Sequence, residues 1–277
     1  MNGVLERTLG ILELLTQHGE GMELAAIADR LDIPRSAVHR LLVDLVRLGY
    51  VRQVRGHGDY LLTTKLVSMG LSYLSNTGIV DIAQPLLNRL AEVSGELVRL
   101  SVVDGERLTW VARAQGARQG LRYDPDMGSD ARLSCSSSGW ALLSTLGDDE
   151  ALALVARQGL GLPDQFGPAA PTSLQAVMDA VKQTRERGYS LTTDTYTAGL
   201  SAMSAPVRFA GQPAFGVLTI AGPNVRFNAE KMTELAPELI STAQQLAALS
   251  GASPFFSLTA ETGKSVPPDG RKPIYAA

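Results

Sequence analysis

Residues 22–63 constrain the fold more than any other stretch of this chain. Leu24, Ile27, Ala28 and Leu31 recur at i, i+3, i+4 and i+7, which predicts a helix over 23–31 with one apolar stripe. Asp32 and Ile33 make a short turn, and Pro34 suits the first turn of a second helix, where its missing N–H costs nothing. That helix is expected to run to about Leu48. Val38, Leu41, Leu42, Leu45 and Val46 face inward, while Arg35, Ser36, His39, Arg40, Val43 and Arg47 stay outside. Gly49 supplies the stop. Residues 50–54 and 60–63 then read as two strands around the glycine-rich turn 55–59. Helix, tight turn, second helix and two-stranded wing make up a winged helix-turn-helix, a layout that lays its second helix in the major groove of DNA.

The outward face carries the chemistry of that docking. Ser36 and Arg40 are four apart and share one helical surface. Serine can meet a phosphate or a base edge, and arginine can fork onto guanine O6 and N7. Arg35 sits at the end where recognition helices usually meet bases. In the wing, Arg52, Arg55 and His57 supply positive charge and donors for phosphate or the minor groove. The expected DNA contacts are thus Arg35, Ser36, Ala37, His39, Arg40, Arg52, Arg55 and His57. Arg7, near the exposed start of a first helix, is either an ordinary surface residue or a further contact. Winged helices also serve as protein–protein modules, but the second helix and wing hold Arg35, Arg40, Arg47, Arg52 and Arg55 against Asp44 and Asp59. The whole chain is weakly acidic, at −3. Attraction to DNA must therefore be local to one face.

The rest of the chain is informative by exclusion. No histidine follows His57, and Cys135 is the one cysteine. Ser-His-Asp and Cys-His catalysis, the usual zinc and non-haem iron sets and an internal disulfide are thereby excluded from residues 58–277. Asp124 and Asp126 read as a turn, and Asp148, Asp149 and Glu150 as the first turn of a helix. No catalytic residue, metal site or cofactor is expected. The start MNGVLERTLG shows no secretory signal and no run of about 18 apolar residues exists, so the expected compartment is the cytoplasm, with no membrane partner.

Along the chain, 4–16 reads as a first helix with Val4, Leu5, Leu9, Ile11, Leu12 and Leu15 on its apolar face. The domain 1–63 is followed by a linker helix over 64–78. Its stripe of Leu66, Met69, Gly70, Tyr73 and Leu74 suits contact with a second copy. From 79 the pattern becomes α+β: a helix over 81–94 with Pro85 in its first turn, strands at 97–103 and 107–114 joined by Asp104-Gly105, and a short strand at 119–123. Helices are expected at 137–144, 149–157 and 174–186, a loop at 159–171, strands at 189–193, 201–209 and 214–221, and a last helix from the cap Asn228 to about Ser250. This predicts an antiparallel sheet with flanking helices over 79–250 and a disordered tail over 251–277.

Arg7-Thr8-Leu9 with Ile11-Leu12, and the run from Leu31 to Leu42, resemble the isocitrate lyase regulator (IclR) family. So do Arg187-Gly188-Tyr189, the stretch Ala198-Gly199-Leu200-Ser201, and the runs Ala205-Pro206-Val207 and Ala221-Gly222-Pro223. The resemblance covers about residues 2–248. It implies a winged-helix domain, a linker helix, and an effector-binding domain of GAF-like fold that takes a small organic acid or aromatic metabolite. It also implies homodimers that often pair into tetramers on a double-stranded DNA operator.

The segment from Leu133 to Leu143 holds four serines and Cys135 ahead of a helix. Taken alone, these serines read either as a cap and packing residues or as an anion site at a helix start, with Gly139 allowing close approach. The resemblance favours an effector pocket at Cys135, Ser136, Ser137 and Ser138, and carries over Thr192, Ala202, Thr219 and Ala221, with Asp194 nearby. Ser134 and Trp140 stand where the family commonly has histidine and lysine. The run Cys135-Ser136-Ser137-Ser138-Gly139 is similar to the branch that regulates aromatic acid catabolism. Ala202 and Ala221 replace more polar residues, which is expected to widen the pocket for a ring. Trp110 and Tyr123 are either ring walls or core aromatics. The reading is a regulator that senses an aromatic carboxylate or a related acid. An enzyme with an N-terminal dimerisation module and a DNA-binding protein without effector remain as alternatives.

Overall fold

The computed structural model describes residues 3–54, 58–123, 128 and 130–250. The wing tip at Arg55 and His57, the turn at Asp124 and Asp126, and the tail 251–277 lie outside the described residues. Two compact units result, Met1–Asn76 and Thr77–Ala277.

In the first unit, α1 (Val4–Thr16), α2 (Leu24–Leu31) and α3 (Arg35–Arg47) precede β1 (Val51–Gln53) and β2 (Tyr60–Leu62). Ile11, Leu15, Ile27, Val38, Leu42 and Leu45 form the core with Val51 and Tyr60 from the wing. The turn between α2 and α3 closes on Asp32, whose φ of 51° is left-handed, while the Ile33 N–H reaches back to the Ala28 carbonyl. Aspartate tolerates this conformation better than most residues. Pro34 is the N-cap of α3, one position before the first turn: its carbonyl accepts from the N–H groups of Ala37 and Val38. At the other end Gly49 has φ 78°, and the N–H groups of Gly49 and Tyr50 return to Val46 and Leu45. This 6→1 and 5→2 pairing is the Schellman motif that glycine permits. β1 and β2 pair antiparallel with Val51 opposite Leu62, and Met22 bridges to Tyr60.

Two expected apolar faces differ from what is observed. On α1 the buried side is Gly10, Ile11 and Leu15, and Val4, Leu5 and Leu9 are exposed. Val46 is also exposed, because it lies at the edge of the stripe centred on Val38, Leu42 and Leu45. The helix α4 (Lys65–Thr77) leaves Val67, Met69, Leu71 and Tyr73 more than half exposed.

The second unit is α+β. Its elements run α5 (Ile79–Ser94), β3 (Leu97–Asp104), β4 (Arg107–Gln115), α6 (Ser137–Leu143), α7 (Asp148–Gln158), α8 (Leu174–Arg187), β5 (Ser190–Thr193), β6 (Leu200–Val207), β7 (Gly216–Pro223) and α9 (Ala229–Ser250). The five strands form an antiparallel sheet in the order β4-β3-β7-β6-β5. One face buries Val98, Leu100, Met203, Ala205, Leu218 and Ile220 under α5 and α9. The other packs Leu108, Trp110 and Val217 against α6, α7 and α8. With both faces covered, polar residues on the second face are buried as well. Glu96, itself buried, accepts from Arg226 Nε at 2.5 Å and Nη2 at 2.9 Å. This pair ties the start of β3 to the approach to α9.

Two further expectations are corrected. Residues 119–123 form no strand. They follow β4, an edge strand, and are held by Gln115, whose side chain donates to the Tyr123 carbonyl and accepts from the Ala117 N–H. The helix expected from 81 starts at Ile79 behind a left-handed Gly78, so Pro85 lies inside it. Proline there has no N–H, and the helical bond to the carbonyl of Asp81 is lost.

Candidate DNA interface and effector pocket

α3 presents the expected surface. Arg35, Ser36, His39 and Arg40 are exposed, while Ala37 is half-buried against the domain core. No side chain caps the helix. The N–H groups of Ala37 and Val38 are taken by the Pro34 carbonyl, which leaves those of Arg35 and Ser36 to meet an anion such as a DNA phosphate. Arg35 lies 3.8 Å from Asp29, both well exposed. Such a pair is worth at most about 1 kcal/mol, so Arg35 exchanges readily onto phosphate. Arg40 has no side-chain partner among the described residues, whereas Arg47 bonds Asp44 at 3.0 Å. Arg52 is exposed on β1 opposite Leu61. Arg7 is half-buried on α1 and already partnered.

In the second unit, register decides what meets what. Thr192 pairs with Ala202 and Ala202 with Ala221; Ser204 pairs with Thr219 and Thr219 with Arg99. These two rows lie side by side on the sheet face that α6 covers. A buried cavity of about 30 Å³ separates them from the start of α6. Trp110, Tyr123, Ser136, Ser137, Ser138, Thr192, Ala202, Thr219 and Ala221 are among the residues that line it. Its volume has room for a water or two and falls far below the roughly 300–1,000 Å³ of drug-sized ligand sites. The alanines at 202 and 221 thus do not open a wide pocket, because the Trp110, Tyr123 and Tyr196 rings converge on the space.

Two expected residues stand outside the cavity. Cys135 is fully buried behind it, against Gly161. Asp194 is a corner residue with φ 58°: its carboxylate accepts from the Gly199 N–H at 2.6 Å and from Asn224 Nδ2. The serines are partly spent on structure. Ser136 caps α6 by accepting from the Gly139 N–H at 3.0 Å, Ser137 pairs with Ser190 at 2.7 Å, and Ser138 donates to Ser136 at 3.4 Å. Gly139 makes its close approach to the chain's own backbone, since a Cβ there would sit 2.4 Å from the Leu133 carbonyl oxygen. The two departures from the family pattern answer each other: the Trp140 indole N–H donates to the Ser134 carbonyl at 2.9 Å. Ser134 Oγ in turn accepts from the Gly161 N–H at 2.8 Å.

Sequence reasoning missed Arg99 and Tyr196, both on the cavity wall. Arg99 is only 4% exposed, and its Cζ lies 4.0 Å from the centroid of Trp110. Burial pushes its pKa below the usual guanidinium value, and Tyr123 and Tyr196 oppose that shift. Tyr196 packs edge-on to Trp110 at 6.0 Å and against Phe166 at 5.3 Å. Burial, reinforced by Tyr123, pushes its phenol up to about 12. An open groove lined by Glu92, Gly116, Arg118 and Arg226 holds no buried unpartnered side chain among the described residues.

Burial also pushes the Cys135 thiol up to about 12, against a smaller opposing effect of Arg132. Cys135 and Tyr196 therefore hold their protons more tightly folded than unfolded. The stability this contributes is present below their ordinary values of 9.0 and 10.0 and is lost as pH rises towards about 12. The melting temperature of this domain should fall steadily across that alkaline range, and Ellman's reagent should reach Cys135 only after unfolding. Rapid labelling of the native protein at neutral pH would contradict this account of the thiol.

Residues 4–55 match the family described as IclR helix-turn-helix domain, and residues 71–248 match Bacterial transcriptional regulator IclR C-terminal. The acetate operon repressor of Salmonella typhimurium is 29% identical over 243 residues, spanning 87% of this chain and 88% of that one. An IclR transcriptional regulator from Alicyclobacillus acidocaldarius superposes with a TM-score of 0.78 at 21% identity, covering 90% of this chain and 98% of its own. An IclR homologue from Microbacterium hydrocarbonoxydans, solved with 4-hydroxybenzoate, gives a TM-score of 0.74 at 20% identity over 91% and 100%. At these identities the two structures establish the fold.

Proposed function

This chain belongs to the IclR family of bacterial transcriptional regulators, and we propose that it is a cytoplasmic, ligand-responsive member whose effector is a small organic acid, best fitted by an aromatic carboxylate. The observation that carries the proposal is the convergence of Ser136, Ser137, Ser138, Thr192 and Thr219 with Trp110 and Tyr123 on one buried cavity. Hydroxyls suit an acid group, and the aromatic walls suit a ring. The 4-hydroxybenzoate held by the Microbacterium relative supports that choice. The cavity, at about 30 Å³, is too small for a ring, which enters only with a rearrangement. A ligand that binds one arrangement better than another shifts their populations, which is what a switch requires.

Arg35, Ser36, His39 and Arg40 are the base- and phosphate-reading residues of α3 on this reading, with Arg52 on phosphate from the wing. Val67, Met69, Leu71 and Tyr73 of α4, with Val4, Leu5 and Leu9 of α1, supply the apolar surface for a second copy. A dimer sets two recognition helices on half-sites about one helical turn apart, and two dimers on one operator give a tetramer. Selection of bound sequences from a random DNA pool tests this. An inverted repeat with half-sites about 10 base pairs apart, or a multiple, is the expected product. Sequences without symmetry would remove the dimer, and a pool with no enriched sequence would remove specific binding.

A further inference from the structure

Arg99 is a buried cation with no counter-ion among the described residues. Arg99 is 4% exposed, the Tyr123 side chain hydrogen-bonds its guanidinium, no carboxylate pairs with it among the described residues, and Nε and Nη1 have no hydrogen-bond partner. Trp110 Nε1, on a ring that lines the same cavity, is also buried without a partner. All three orphaned atoms are N–H donors. An unpaired charge in the interior is costly and is normally avoided by pairing. The missing partner is therefore an acceptor that carries negative charge.

We propose that Arg99 is the carboxylate anchor of this cavity, the group that holds the acid end of the effector. The inference rests on reading the cavity as the effector pocket and goes beyond it by naming the residue and the ligand group. A carboxylate is acceptor-only, with about four lone-pair sites, so it can take the Arg99 and Trp110 donors together. It is planar and small, as a cavity of about 30 Å³ beside a stacked guanidinium demands. Tyr196 and Tyr123 complete the surroundings with their rings, and no carboxylate among the described lining residues competes for Arg99. Arg99 gives the pocket a preference for the acid over its amide or ester, because a neutral analogue leaves the cation unpaired.

Both tryptophans, Trp110 and Trp140, lie in the second unit, so their fluorescence reports its melting alone. The test compares full-length wild type, Arg99→Met, Arg99→Lys and Ala221→Leu with benzoate, 4-hydroxybenzoate, acetate, benzamide and chloride. In wild type, an aromatic acid at about a hundredfold its Kd should raise the midpoint by roughly 5–10 °C, acetate should raise it less, and benzamide should do nothing. Arg99→Met removes the unpaired cation, so its ligand-free midpoint should rise while the acid response disappears. Arg99→Lys should keep part of the response. An undiminished acid response in Arg99→Met overturns the anchor. If Ala221→Leu, which fills the cavity, still abolishes that response, the pocket itself stands. A ligand-free Arg99→Met that melts several degrees lower makes Arg99 a structural residue and also overturns the proposal. A chloride response equal to that of acetate reduces the site to an inorganic anion. No response of wild type to any acid removes anchor and effector pocket together.

Discussion

Arg40→Ala should weaken binding to the selected operator by roughly 5- to 150-fold, about 1–3 kcal/mol, and change binding to random DNA little. Arg40 is exposed in the second turn of α3, shares its face with Ser36, and has no side-chain partner among the described residues. Its removal therefore costs the domain nothing internally, and the loss reads out contact with DNA alone. An arginine that forks onto a guanine loses sequence preference when truncated. One that rests on phosphate loses affinity evenly and flattens the salt dependence. Equal losses on operator and random DNA would make Arg40 a phosphate contact.

Leu42→Ala, two residues further on, should do the opposite. Leu42 is fully buried at the centre of the first unit, packed with Ile27, Val38 and Leu45. Truncation of such a leucine costs about 2–5 kcal/mol. A unit of this size is worth on the order of 4–11 kcal/mol in total. The variant should lose all DNA binding on modest warming, on every sequence alike. Far-UV circular dichroism should show an early transition while tryptophan fluorescence, which reports the other unit, keeps its midpoint. A Leu42→Ala protein that melts like wild type would refute the packing described for α3.

The contrast between these neighbours is the part of the fold that was plain in the sequence. Two short helices, a turn and a wing rely on contacts close in the chain, so 3.6-residue periodicity, Asp32 and Gly49 suffice to define them. The strands around Asp104-Gly105 were legible for the same reason. Arg99 was not. In LVRLSVV the polar residues at 99 and 101 alternate with Val98, Leu100 and Val102, which reads as a strand with one wet face. That face is covered by α6, α7 and α8, which come later in the chain. Tyr196 reaches the cavity from the corner between β5 and β6, with no periodic signal to mark it. Gly139 does allow a close approach, but the atom it approaches, the Leu133 carbonyl oxygen, belongs to the chain itself, and no periodic signal marks that partner.

On the proposed function, one chain couples a DNA-reading α3 to an acid-binding cavity in its other unit. The most direct test is the anisotropy of a labelled operator titrated with full-length protein, with and without saturating benzoate, 4-hydroxybenzoate or acetate. An acid which raises the tryptophan-reported midpoint should also shift the operator Kd by about 5- to 150-fold, the usual range of allosteric coupling. An acid that binds and stabilises the protein yet leaves the operator Kd unchanged would contradict it.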